Sequence, residues 1–177
     1  MKVKAIIIMA LTVFPLSAFS NEPGAHVHGI ATLQVALDGK LLTLAFSSPL
    51  DNLIGFEHKP QTDKQKALVK AMDEKMHHAE QLFLPTPAAG CTLKSTQLDS
   101  LVLEKDPKAK PAHEEEAGHA DIDAEFVFQC AQPEKLHDIE VRLFDAYPNL
   151  HQLDVAVATA KGQTAAKLSA QKRRVSW

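Results

Sequence analysis

The chain has 177 residues and a formal net charge of −3 at pH 7. That is enough chain for one domain with a real core, and its acidic balance argues against a nucleic-acid binder. Two cysteines and nine histidines are the residue types whose placement can be read chemically.

The first 20 residues read as a cleavable secretory signal peptide. Lys2 and Lys4 give a positive start, residues 5–14 are an uncharged apolar run, and Pro15 to Ser17 break it. Ala18-Phe19-Ser20 then offers small residues at the positions a signal peptidase reads. Cleavage is expected after Ser20, with Ala18 as second choice. The apolar run is shorter than the roughly 20 residues a bilayer span needs. Asn21 rather than cysteine follows, so no lipid anchor is expected, and no later segment is apolar enough to span a membrane. The expected mature chain, residues 21–177, is one domain outside the cytoplasm, in the periplasm. Without Lys2 and Lys4 its formal charge moves from −3 to −5.

Residues 27–37 alternate, with Val27, Ala31, Leu33, Val35 and Leu37 on one face, which predicts a half-buried strand. Asp38-Gly39 is a hairpin signal, and residues 40–47 form the return strand, ending at Pro49. Residues 51–60 read as irregular or as one helical turn. Thr62 with Gln65 makes a capping box. Leu68, Met72, Met76, Ala79 and Phe83 then recur at helical spacing, and Pro85 and Pro87 stop the run, so a helix is expected over 63–82.

Residues 91–103 read as one long strand or a strand pair. Residues 105–118 hold Pro107, Pro111 and three consecutive glutamates without a large apolar residue, and predict a solvated, mobile loop. From 119 to 130 alternation returns, with Ile122, Ala124, Phe126 and Phe128 inward and His119, Asp121, Asp123 and Glu125 outward. Residues 137–144 are strand-like. Residues 145–148 turn, Leu153, Val155 and Val157 alternate, Lys161-Gly162 turns, and 163–168 make a last short strand. Lys172, Arg173 and Arg174 form an exposed tail. The sum is an α+β protein: an antiparallel sheet of six or seven strands with one long helix.

Cys91 and Cys130 both follow the signal. In an oxidising compartment an even pair reads first as a disulfide, closing a loop of about 40 residues worth roughly 4 kcal/mol in the loop-entropy model. The competing reading is a thiolate metal site.

His26 and His28 form an H-x-H that strand alternation would set on one side, within reach of one ion. His58 lies in the Gly-opened stretch Gly55-Phe56-Glu57-His58. His119 and Asp121 form an H-x-D on one strand face. Imidazole and carboxylate are the usual non-thiolate donors for Zn²⁺ and also suit Cu²⁺ and Ni²⁺. His28, His58, His119, His26 and Asp121 are therefore the metal candidates, and His113, beside Glu114 to Glu116, is a secondary one. His77 and His78 point about 100° apart on a helix and read as a solvated face; His137 and His151 read as structural or surface residues. No G-x-S-x-G, H-E-x-x-H or phosphate-cradling loop occurs, so no catalytic residue is assigned and the chain is not expected to be an enzyme.

His26-Val27-His28-Gly29-Ile30-Ala31 and Gly55-Phe56-Glu57-His58-Lys59-Pro60 resemble marks of the ZrgA-type periplasmic zinc-uptake proteins of Gram-negative bacteria. So do Ala89-Gly90-Cys91, His119-Ala120-Asp121, Phe128-Gln129-Cys130 and Leu143-Phe144. The resemblance covers His26 to about Leu168. It implies a soluble zinc-binding protein that works with an ABC-type zinc importer, and a His-rich insert before H-A-D. Here that insert is thin and holds only His113. The motif positions coincide with the five candidates reached from spacing. The alternatives left open are an envelope structural or interaction protein with incidental histidines, a metal-dependent hydrolase, and a copper or nickel carrier.

Overall fold

The structure is a computed structural model and describes residues 27–103 and 120–177. The expected signal peptide and the 105–118 loop lie outside the described residues.

The chain opens with strands β1 (Ile30–Asp38) and β2 (Leu41–Pro49). Their pairing places Asp38 opposite Leu41, so Gly39 and Lys40 make the two-residue turn. Gly39 has φ +57°, a conformation the Asp-Gly signal anticipates. The single helical turn α1 (Asp51–Ile54) and the helix α2 (Asp63–His77) follow. The Thr62–Gln65 capping box forms as expected. The helix ends earlier than the predicted residue 82. His78 leaves helical dihedrals, and a 3₁₀ turn, Ala79–Gln81, leads into β3 (Phe83–Pro85). The buried stripe is Val69, Met72, Met76 and Ala79. Leu68, expected inward, is 40% exposed, because the inward line steps by three and four from Val69.

The remaining strands are β4 (Cys91–Asp99), β5 (Asp121–Cys130), β6 (Asp138–Val141), β7 (Gln152–Thr159), β8 (Gly162–Leu168) and β9 (Arg174–Ser176). A short helix, α3 (Leu143–Ala146), replaces the end of the strand expected over 137–144. Six strands form one sheet in the order β4-β5-β2-β1-β7-β8, and β3, β6 and β9 form a second. Fold class and strand number agree with the expectation of an α+β protein built on an antiparallel sheet. The exception within the large sheet is the β1–β7 pair, which is parallel. The expected exposed tail is fixed by β9: Val175 is buried, and Arg174 reaches Asp138 and Glu140.

One face of the large sheet is the core. Leu33, Leu44, Phe46, Ile122, Phe126, Phe128 and Leu153 are at most 1% exposed. Burial of each such side chain contributes roughly 1.5–3 kcal/mol. The Met72–Met76 stripe of α2 and the second sheet cover that face; Phe83 of β3 meets Phe126 of β5 with ring centroids 5.3 Å apart. The opposite face carries Thr32, Gln34, Ala45, Asp123 and Glu125 to solvent, the half-buried alternation usual for antiparallel sheets. Among the described residues no helix is long and apolar enough to cross a membrane.

Candidate metal centre

Strand directions decide which residues share an end of the large sheet. β1 and β7 run parallel, and β2 runs antiparallel to both β1 and β5. The start of β1, the end of β2, the start of β5 and the start of β7 therefore lie together. That end carries His28, Asp51, Asp121 and His151. The other end carries the disulfide: Cys91 and Cys130 face each other across β4–β5 and are bonded. The thiolate reading is thereby closed, since the chain has no other cysteine.

His28 does not sit on a strand, as the H-x-H reading expected. It occupies the corner of a turn in which the Ile30 N–H donates to the Val27 carbonyl at 3.1 Å. Gly29 follows with φ +83°, the left-handed conformation that type II turns require at their third position. A side chain there would also collide with the His151 ring, whose nearest atom would be 2.9 Å from the added Cβ. The strand expected from residue 27 begins only at Ile30, after Gly29.

Two carboxylates flank the His28 imidazole. Asp51 Oδ2 is 3.5 Å from Nδ1, and Glu57 Oε1 is 3.1 Å from Nε2. The His28 side chain is 58% exposed and that of Glu57 only 9%, so the ring bridges solvent and a buried acid. Gly55, at φ +80°, caps α1 and turns the chain so that Glu57 comes back over His28. Neither Asp51 nor Glu57 was among the sequence candidates. The signal for Asp51 was the hairpin: the register that pairs Thr32 with Ser47, continued outward, sets residue 51 across from residue 28.

His58 is exposed, and its ring stacks at a tilt on Phe56, 5.1 Å between centroids. Its Nδ1 lies 2.9 Å from the Lys59 carbonyl. A carbonyl only accepts, so Nδ1 is the donor here; in a neutral ring this arrangement leaves the Nε2 lone pair for a metal. Asp121 is half-buried at the first position of β5, where Ser100 Oγ donates to its main-chain carbonyl at 2.7 Å. His26, His113 and His119 lie outside the described residues.

Among the described residues, no three or more His, Cys, Asp or Glu side chains are arranged to hold a metal ion. The reason is geometric for the trio around His28. Its two carboxylates approach opposite ring nitrogens and do not converge on one point.

The remaining described histidines are engaged elsewhere. His77 Nδ1 lies 2.9 Å from the Asp73 carbonyl, His78 lies near Glu80, and His137 contacts Thr86 and Asp138 beside the second sheet. Desolvation pushes the buried Tyr147 phenol well above its ordinary value, so it stays neutral.

A family model of zinc uptake proteins, ZrgA, matches residues 25–177. The chain belongs to the ZrgA family. No curated protein matches it. Membership ties the chain to zinc uptake, which agrees with the resemblance carried by its histidine motifs. For a ZrgA protein the donor set at the His28 end of the sheet is chemically apt. Imidazole nitrogen and carboxylate oxygen both bind Zn²⁺ near 2.0–2.2 Å, and the disulfide at the opposite end removes sulfur from the choice.

Proposed function

We propose that this protein captures Zn²⁺ in the periplasm through His28 and its neighbouring carboxylates and supplies the ion to an ABC-type zinc importer. The observation that carries the reading is the His28 imidazole between Asp51 and Glu57 at one end of the large sheet. In this reading Nε2 of His28 and the Glu57 carboxylate take the ion. Asp51 accepts from the Nδ1–H, which fixes the tautomer and orientation of the ring. His58, in the tautomer that leaves Nε2 available, and Asp121, at the same end of the sheet, are further donors, with His26 and His119 from outside the described residues. His113 is a secondary donor. The role is binding and delivery without catalysis.

Periplasmic placement rests on the signal peptide read in residues 1–20, and the importer on the family's link to zinc uptake. An exported carrier meets scarce metal ahead of the membrane, so a moderate number of nitrogen and oxygen donors suits capture followed by release.

Isothermal titration of zinc into the mature chain tests the reading. Stoichiometric binding near neutral pH is expected, and none would end it. Binding needs neutral imidazoles, so affinity should fall steeply below about pH 6. His28→Ala should weaken the site by at least about tenfold; an unchanged affinity would show that the ligands are elsewhere.

A further inference from the structure

We propose that Asn52 is the positioning residue of this metal centre: its buried amide locks the turn that presents His28. The inference rests on the reading of His28 as a ligand and adds what holds that ligand in place.

Asn52 is the second residue of α1 and is 1% exposed. A buried amide in a one-turn helix calls for explanation, since an apolar side chain of similar size would pack there without needing partners. Every polar group of the amide is used. Its Oδ1 accepts the Gly29 N–H at 2.5 Å. Its Nδ2 donates to the Ile30 carbonyl at 2.9 Å and to Ser48 Oγ at 3.0 Å. Ser48 in turn donates to the Pro49 carbonyl at 3.0 Å, so it can only accept from the amide. These partners fix the orientation of the amide, because its oxygen faces a donor and its nitrogen faces two acceptors.

Two of the three bonds go to the backbone immediately after His28. The Gly29 carbonyl is held from the other side by the N–H groups of His151 and Gln152, at 2.8 and 2.9 Å. The turn is thus clamped between α1 and the entry to β7. Asp51, one residue before Asn52, meets the His28 ring, so one helical turn fixes both the backbone and the side chain of the ligand. An exposed imidazole on a free turn would lose backbone freedom on binding metal. The clamp meets that cost when the chain folds.

Zinc titration and thermal unfolding of metal-free mature protein separate positioning from bulk stability. Asn52→Ala removes all three bonds and should weaken zinc binding by about tenfold or more. Asn52→Asp keeps an oxygen for the Gly29 N–H but sets a carboxylate against the Ile30 carbonyl. It should lower the melting temperature and, with one of the two turn bonds kept, weaken zinc binding less than Asn52→Ala does. Affinity that falls in both variants in step with melting temperature, or that survives in Asn52→Ala, overturns the proposal. If Asn52→Ala does not fold, Asn52→Asp decides alone: zinc affinity equal to that of the wild-type chain overturns it. His28→Ala runs alongside. Unchanged affinity there ends the ligand reading itself, whereas a loss there with full affinity in Asn52→Ala ends only the positioning role.

Discussion

β5 runs between two ends of the large sheet that are held in different ways. At Cys130 the strand is tied covalently to Cys91, and at Asp121 it enters the end where His28, Asp51 and Glu57 meet. The disulfide acts mainly by limiting the unfolded chain and leaves local geometry to packing. The other end has no covalent tie among the described residues. There a fully satisfied amide, Asn52, sets the turn carrying His28. A staple suits an end that has only to stay closed. Hydrogen bonds suit an end where one side chain must point in a chosen direction.

The difference can be broken most forcefully at the staple. Replacing Cys91 and Cys130 by Ser should cost roughly 4 kcal/mol of stability, read by denaturant unfolding, while leaving zinc affinity unchanged. A lost affinity would mean that the two ends are not independent. Acting on the opposite end, zinc at one hundred times its Kd should stabilise the wild-type chain by about 2.7 kcal/mol. That gain in melting should shrink in His28→Ala but persist in the cysteine variant.

A smaller effect belongs to neither end. Arg174 pairs with the buried Asp138 at 3.2 Å and with Glu140 at 2.7 Å, locking β9 onto β6. Because Arg174 is itself half exposed, Arg174→Ala should cost only about 1–2 kcal/mol, again with unchanged zinc binding. The smallest expected loss, about 1 kcal/mol, follows Thr62→Ala, which removes the hydroxyl that caps α2 at the Gln65 N–H. Chemical denaturation measures both.

The strands of the large sheet were legible because their signals are local. Leu33 and Val35 alternate with Thr32 and Gln34, and Gly39 marks the hairpin. Phe126 and Phe128 announce the buried face of β5 in the same way. Of the second sheet only β6 was legible, inside the stretch expected as a strand over 137–144. β3 and β9 have three residues each, too few for a period of two, and they come from distant parts of the chain. The end of α2 was misjudged because nothing between His78 and Phe83 breaks a helix by composition. The chain leaves it to place Phe83 against Phe126.

The candidate centre divides in the same manner. His28, His58 and Asp121 declared themselves as residue types capable of binding a borderline metal, and the pairing of Cys91 with Cys130 followed from their being the only two cysteines in a chain whose start reads as a signal peptide. Those are properties of single residues and short spacings, which a sequence carries directly. Which donors stand beside His28, and what holds its turn, depended on strand pairing. Asp51 and Asn52 reach residue 28 because β2 returns antiparallel to β1. His151 reaches Gly29 because β7 pairs parallel to β1 from more than a hundred residues away. Such neighbours arise from burying one face of the sheet, a property of the whole chain that no local pattern encodes.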